Sequence, residues 1–216
     1  MINAEVLVAA LLAYLLGSIP TSVWVGKWFF NLDIRTHGSG NAGATNTIRV
    51  FGLKAGLPVL VFDVFKAWLA VTLSHWLGND NFTVNQEVVY RIILGGLAVI
   101  GHVYPVFAGF RGGKGVASLV GVVIALFPAA FLVILVFFIL VFIVTRIVSV
   151  SSMSSALVFP FIVIFVFDEK SLPLIILAVA VALFVPYTHR ENIKRLINGT
   201  EKKFDFGKNR ITKENG

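Results

Sequence analysis

The chain has 216 residues, 57% of them hydrophobic and only 13% charged, with a mean hydropathy of +0.89. That composition excludes an ordinary soluble domain and fits an integral membrane protein. The absence of cysteine excludes disulfides, thiolate metal sites and a cysteine nucleophile, and the formal charge of +7 points to membrane orientation and anionic headgroups, not to nucleic acid, because no basic stripe carries interleaved exposed aromatics.

A helix needs about 20 apolar residues to cross a hydrocarbon core about 30 Å thick. In chain order the apolar runs predict seven spans, near 4–28, 56–77, 88–108, 115–128, 130–146, 153–167 and 172–187. The first reads as a retained span and not a cleaved leader. Glu5 stands where a signal peptide carries Lys or Arg, and the apolar run continues past Pro20 to Phe30. Residues 116–145 form one uncharged run with basic flanks, Arg111 and Lys114 before it and Arg146 after it. Basic residues at both ends predict a tight hairpin that bends near Pro128.

Seven spans place the N-terminus outside and the C-terminus in the cytoplasm. The inner side would then hold Lys27, Arg35, Arg49, Lys54, Arg111, Lys114, Arg146 and the eight basic residues of the C-terminal tail. The outer side would hold Glu5, Asp80, Glu87, Asp168 and Glu169 against only Arg91 and Lys170. The fold class predicted is therefore all-α and polytopic. One domain covers 1–201, with a short interfacial helix at its C-terminal end and a basic cytoplasmic tail at 202–216. No internal repeat is present.

Three polar clusters share the proposed inner face. The first, DIRTHGSGNAGATNTIR at 33–49, has glycines at 38, 40 and 43 that permit positive φ and close approach to a ligand. Exposed N–H groups in such a turn form an anion nest, with donors from Asn41, Thr45 and Asn46 and the planar fork of Arg49 beside it. The second, GHVYPVFAGFRGGKG at 101–115, puts Gly112, Gly113, Lys114 and Gly115 just ahead of a helix, a phosphate-cradle arrangement. It is not a nucleotide loop of the Walker type, since Gly115 follows Lys114 where Ser or Thr is needed and no strand precedes it. His102 reads as a structural hydrogen-bonder.

The third cluster, PYTHRENIKRLINGTE at 186–201, opens after Pro186 ends the last span. Thr188 with Glu191 predicts a capping box, and Asn198-Gly199 predicts a stop. Ile193, Leu196 and Ile197 share one face, which makes the helix amphipathic. His189 and Asn192, three apart, share another face near its positive end.

Two further features stand apart. Asp63 and Lys66 lie three apart inside the second span, where an unpaired charge costs about 3 kcal/mol, so structural pairing is expected. In SVSSMSS at 149–155, Ser149 is nearest the membrane face and within reach of a substrate. Acidic residues are never grouped near the loops, so no metal site is predicted.

Together these stretches resemble the bacterial acyl-phosphate:glycerol-3-phosphate acyltransferases of phospholipid synthesis. The match is carried by GSIPTS at 17–22, DIRTHGSGNAGATNTIR at 33–49, GHVYPVFAGFRGGKGVAS at 101–118 and HRENIKRLINGTE at 189–201. It spans almost the whole chain in order. The resemblance implies a seven-span inner-membrane enzyme with its motif loops in the cytoplasm. It implies that Ser39 and Arg49 are essential, that Gly112 to Gly115 form the glycerol-3-phosphate loop, that His189 and Asn192 are needed for activity and that Glu201 is structural. A longer polar outer loop near 78–87 and the basic tail depart from the pattern.

The substrates implied are acyl phosphate and glycerol 3-phosphate, met in a setting of membrane lipid; the activated donor calls for no cofactor. Arg49 and Lys114 would hold the phosphates. Ser39, Thr45 and Asn46 would orient the reacting centre and its oxyanion. Either His189 or a substrate phosphate, with a second pKa of about 6, would take the hydroxyl proton. Two rival classes are a transporter for a phosphorylated metabolite and a non-catalytic lipid-binding scaffold. Against the transporter, every polar cluster lies on one face, whereas alternating access uses a site at mid-membrane and usually repeated halves.

Overall fold

A computed structural model describes residues 4–78 and 82–204, so Asp80 and the tail beyond Phe204 lie outside the described residues. Among the described residues there is no strand, and the fold is all-helical. Its helices are α1 (Ala4–Gly17), α2 (Thr21–Phe30), α3 (Ala44–Phe51), α4 (Leu53–Thr72), α5 (Val84–Val103), α6 (Val116–Leu126), α7 (Pro128–Thr145), α8 (Val148–Phe161), α9 (Leu172–Thr188) and α10 (Arg190–Ile197).

Among the described residues four helical stretches are long and apolar enough to cross a membrane alone: Leu53–His75, Val84–Ala108, Pro128–Thr145 and Val148–Val166. Two bent pairs, α1 with α2 at 43° and α9 with α10 at 58°, raise the number to six if each pair is one span. The remaining expected span falls on α6, which has 11 residues. At 1.5 Å per residue it rises about 16 Å, roughly half a hydrocarbon core.

The first expected span, 4–28, is not one helix. It breaks at Ser18–Pro20, because Pro20 has no N–H to continue the ladder, and α2 restarts behind it. The hairpin bend expected near Pro128 falls at Phe127, with Pro128 opening α7. The last turns of α8 widen into a π-helical segment, Ile162–Val166, just after Pro160.

In lipid, helices associate by close packing, not by expulsion from water, so small residues mark the contacts. A Cβ at Gly17 would meet the Ala98 carbonyl oxygen at 2.1 Å, and one at Gly121 would meet that of Val64 at 2.1 Å. Those two glycines let α1 approach α5 and α6 approach α4. The main core joins Ala9, Ala13, Ala67, Ala70, Leu94, Ala98, Phe159 and Ala178 from five helices. By contrast α7 has only Ala130 buried and turns Leu132, Val136, Leu140, Ile143 and Val144 outward, as a lipid-facing helix does.

The charged pair inside α4 is satisfied. Lys66 Nζ lies 2.6 Å from Asp63 Oδ1 and donates to the Ile19 carbonyl at 2.8 Å. Thr21 Oγ1 donates to the same carboxylate oxygen at 3.1 Å, and His102 Nδ1 lies 3.6 Å from it. The pair therefore ties α4 to the break between α1 and α2, and His102 stands beside the carboxylate just beyond hydrogen-bonding distance.

Candidate active site

The first polar cluster is not loop throughout. Its second half forms α3, with Gly43 as N-cap and Ile48, Val50 and Phe51 against neighbouring helices. Arg49 thus projects from a helix, and Ala44 and Thr45 at the start of α3 line the same cavity.

The Gly loop ahead of α3 is built around Asn46, which is fully buried. Its Oδ1 accepts from the Ser39 amide at 2.8 Å. Its Nδ2 donates towards the carbonyls of His37 at 3.0 Å, Asn41 at 3.1 Å and Ile34 at 3.2 Å. Asn46 is therefore the internal brace of the loop; its donors face backbone, not ligand. Gly38 and Gly40 have φ of 65° and 75°, and a Cβ on Gly38 would sit 2.2 Å from Asn46 Oδ1. These glycines shape the turn and do not border the cavity. The hydroxyls of Ser39 and Thr45 have no protein partner among the described residues, and both line the cavity.

The second Gly loop differs from a simple cradle. Gly112 N and Gly113 N donate to the carbonyls of Val103 and His102, each at 3.1 Å, so their amides are not offered to a phosphate. They are glycines because of crowding: a Cβ on Gly112 would lie 2.0 Å from His102 O, and one on Gly113 would lie 2.3 Å from His102 Nε2 and 2.7 Å from Ala42 O. The Ala42 contact presses the two Gly loops together. Gly115, at φ 80°, is the N-cap of α6, and it lines the cavity with Lys114.

From the third cluster, His189 and Asn192 are buried and meet the same cavity. The expected capping box does not form. Thr188 Oγ1 donates back to Val185 O at 3.0 Å and Glu191 pairs with Lys194, because α10 follows α9 with only His189 between them. The predicted stop does form, with Gly199 at φ 66°.

One network joins all this. Lys114 Nζ donates to Asn192 Oδ1, and Asn192 Nδ2 donates to Glu201 Oε1 at 2.6 Å. Ser149 Oγ donates to the same oxygen at 2.7 Å, and Arg195 Nε donates to Oε2 at 2.7 Å. Burial opposes ionisation of Glu201, but Arg195, Asn192 and Ser149 outweigh it and hold the carboxyl below its usual range. Burial, then the Arg195 charge, brings Lys114 down to about 8, so it is still mostly an ammonium at neutral pH. Burial, then the Lys114 charge, brings His189 down to about 4. Its Nδ1 lies 2.8 Å from Val185 O, which can only accept, so Nδ1 carries the proton and Nε2 carries the lone pair.

These groups border a single cavity of about 470 Å³. Its polar mouth holds Ser39, Asn41, Thr45, Arg49, Lys114, Ser149, His189, Asn192 and Glu201. Beyond them it runs as an apolar groove beside Leu60, Val120, Val123, Phe131, Ile134, Phe138, Phe142 and Phe159. Asp63 and His102 reach its wall, whereas Gly38, Gly40, Gly112, Gly113 and Lys66 stand behind it. Sequence reasoning did not anticipate Lys202 and Phe204 at its edge. That strap is pinned by Phe204 N to Arg146 O at 2.6 Å and by the Phe204 ring against Phe142. Among the described residues no group of His, Asp and Glu could hold a metal ion.

Comparison with known proteins agrees along nearly the whole chain. The family model described as glycerol-3-phosphate acyltransferase matches residues 7–199. A glycerol-3-phosphate acyltransferase of Listeria welshimeri is 43% identical over 202 residues, covering 94% of this chain and 98% of the relative. That of Enterococcus faecalis is 40% identical over 210 residues, covering 94% of each. Among solved structures, PlsY (YgiH), an integral membrane glycerol 3-phosphate acyltransferase, superposes in its glycerol 3-phosphate form with a TM-score of 0.83 at 32% identity, covering 94% of this chain and 96% of that one. Its lysophosphatidic acid form superposes with a TM-score of 0.79. By sequence match and by superposition, the chain belongs to the glycerol-3-phosphate acyltransferase family.

Proposed function

We propose that the chain transfers a fatty acyl group from acyl phosphate to the 1-hydroxyl of glycerol 3-phosphate, giving lysophosphatidate and phosphate. The observation that carries this reading is the single cavity whose cationic mouth continues into an apolar groove. Both substrates bear phosphate and one bears an acyl chain, so this is the chemistry such a cavity suits.

In this reading Arg49 and Lys114 hold the two phosphates, and the N-terminal end of α3 beside them adds a partial positive charge. The hydroxyl oxygen attacks the acyl carbonyl carbon. The bond from that carbon to the phosphate oxygen breaks, and phosphate leaves with the electron pair. Ser39 and Thr45 face the developing oxyanion. The donor is already activated, so positioning supplies most of the rate without a covalent enzyme intermediate.

The hydroxyl proton passes either to His189 Nε2 or to a substrate phosphate. At about 4, His189 is a weak base, and a phosphate dianion bound beside it would strengthen it. Asn192, Glu201 and Ser149 hold Lys114 in place. The topology proposed has seven spans including α6, the N-terminus outside, and the site on the cytoplasmic face of the inner membrane. Residues 1–201 form one domain with 202–216 as its tail.

The test is acyl transfer by purified protein in detergent. Labelled glycerol 3-phosphate is supplied with palmitoyl phosphate or with palmitoyl-coenzyme A, beside an Arg49→Ala control. Lysophosphatidate from the phosphate donor alone, lost in the control, is the expected result. No product from either donor, with label accumulating inside proteoliposomes, would replace the enzyme with a transporter.

A further inference from the structure

The first loop carries a second arginine whose guanidinium turns away from the cavity. Arg35 lines a separate surface hollow with Asp33, Thr36, Ala108, Gly109 and Arg111. Asp33 caps the single helical turn at Ile34–Thr36 and accepts the Arg35 amide at 3.0 Å. The guanidinium then grips the same carboxylate at two points, Nε to Oδ1 at 3.0 Å and Nη2 to Oδ2 at 2.7 Å. This grip holds the Asp33 carboxyl down to about 2, so the pair stays ionised at any pH the protein meets.

What remains of the fork reaches across the fold. Arg35 Nη1 donates to Ala108 O at 2.8 Å and towards Arg111 O at 3.4 Å. The carbonyls it holds flank a difficult turn. Gly109 and Phe110 both have left-handed backbones, with φ of 62° and 59°, and Phe110 is not a glycine. Such a turn persists only where its surroundings hold it. Three residues past Arg111 comes Lys114, and on the inner side Gly113 presses on Ala42 O. The two loops are thus joined at two places, by a glycine contact inside and by an arginine outside.

We propose that Arg35, oriented by Asp33, is a positioning residue that locks the Lys114 loop onto the loop leading to Arg49 and so sets the spacing of the two anion-holding cations. Three of its guanidinium contacts run to carboxylate and two more to carbonyls, so it is already engaged and is not a substrate ligand. The proposal rests on the acyl-transfer reading only for its kinetic readout.

The experiment compares wild type, Arg35→Lys and Arg35→Gln as full chains in detergent. It measures kcat, the KM of each substrate and amide hydrogen exchange over residues 106–113. Both variants should lose kcat by about tenfold to a hundredfold, the scale of a misplacement of about 1 Å. Each KM should stay within about threefold, and exchange over 106–113 should quicken. Lysine should not rescue, because an ammonium cannot span carboxylate and carbonyl in one plane.

Restoration of kcat by lysine would overturn the proposal. So would a rise in one KM at constant kcat, which would mark Arg35 as a direct anion ligand. Should Arg35→Gln fail to fold, Asp33→Asn keeps the guanidinium but loosens its grip, and wild-type kinetics and exchange there would equally overturn it. If wild type itself transfers no acyl group, the functional reading fails and the exchange data alone decide the brace.

Discussion

Replacing Glu201 with alanine probes the network behind the site. The Glu201 side chain is 7% exposed and accepts from Ser149, Asn192 and Arg195. Hydrogen bonds to a charged group contribute about 1.5–3 kcal/mol each. The Arg195 side chain is 35% exposed, so solvent screens its share to about 0–1 kcal/mol. The buried Ser149 and Asn192 donors would be left unpaired, which puts the loss at about 3–5 kcal/mol. For a chain of this size that lowers the unfolding midpoint by about 10 °C.

The isosteric Glu201→Gln separates charge from shape. The carboxylate raises the pKa of Lys114, and its removal should bring that pKa below its present value of about 8. The ammonium is the form that holds phosphate, so activity is full below the pKa and falls as pH rises through it. The alkaline limb of kcat/KM, which reports the free enzyme, should therefore move to lower pH in Glu201→Gln. Thermal unfolding and a pH–rate profile in detergent check both points. An unfolding midpoint within 2 °C (about 1 kcal/mol) for Glu201→Ala, with an unmoved alkaline limb in Glu201→Gln, would refute the reasoning.

Three other predictions follow from contacts of the same kind. Gly113→Ala forces a methyl against His102 Nε2 and Ala42 O; it should cost about 1–3 kcal/mol and pry the loops apart, seen as lost acyl transfer in protein that still unfolds cooperatively. Lys66→Met leaves the Asp63 carboxylate buried without its ion partner and should destabilise by about 3–5 kcal/mol, whereas adding Asp63→Asn should recover much of that on a melting curve. His189 is at about 4 in the fold against an ordinary 6.5, so the unfolded chain takes its proton first as pH falls. Stability should therefore be lost between about 6.5 and 4, by about 3 kcal/mol, and Gln in place of His189 should abolish that slope in midpoints taken across the range.

The residues that could be read from the sequence were those whose type allows few alternatives. Pro128 placed the break between α6 and α7, and Asp63 with Lys66, at helical spacing in an apolar run, had to pair. Arg49, Lys114, His189 and Asn192 were identified by charge and spacing, and they share one cavity. What escaped depended on distant backbone. The use of the Gly112 and Gly113 amides is set by the carbonyls of Val103 and His102 at the end of the preceding helix, not by their own neighbours in the loop. Asn46 looked like a donor to ligand because nothing local shows that four backbone groups of its own loop surround it. Pro20 did carry a legible signal for the break at Ser18–Pro20, but the length of the apolar run masked it. α3 was hidden because its Gly-rich approach dominates the composition of the stretch, although Ile48, Val50 and Phe51 carry the apolar face.

The central claim is that one cavity binds both phosphates at its mouth and the acyl chain along its groove. The most direct measurement is an experimental structure with glycerol 3-phosphate and a non-hydrolysable acyl phosphonate bound. The account predicts both anionic groups between Arg49, Lys114 and the start of α3, with the alkyl chain running beside Leu60, Phe131 and Phe138. A phosphonate bound away from Lys114, or a chain lying outside that groove, would contradict it.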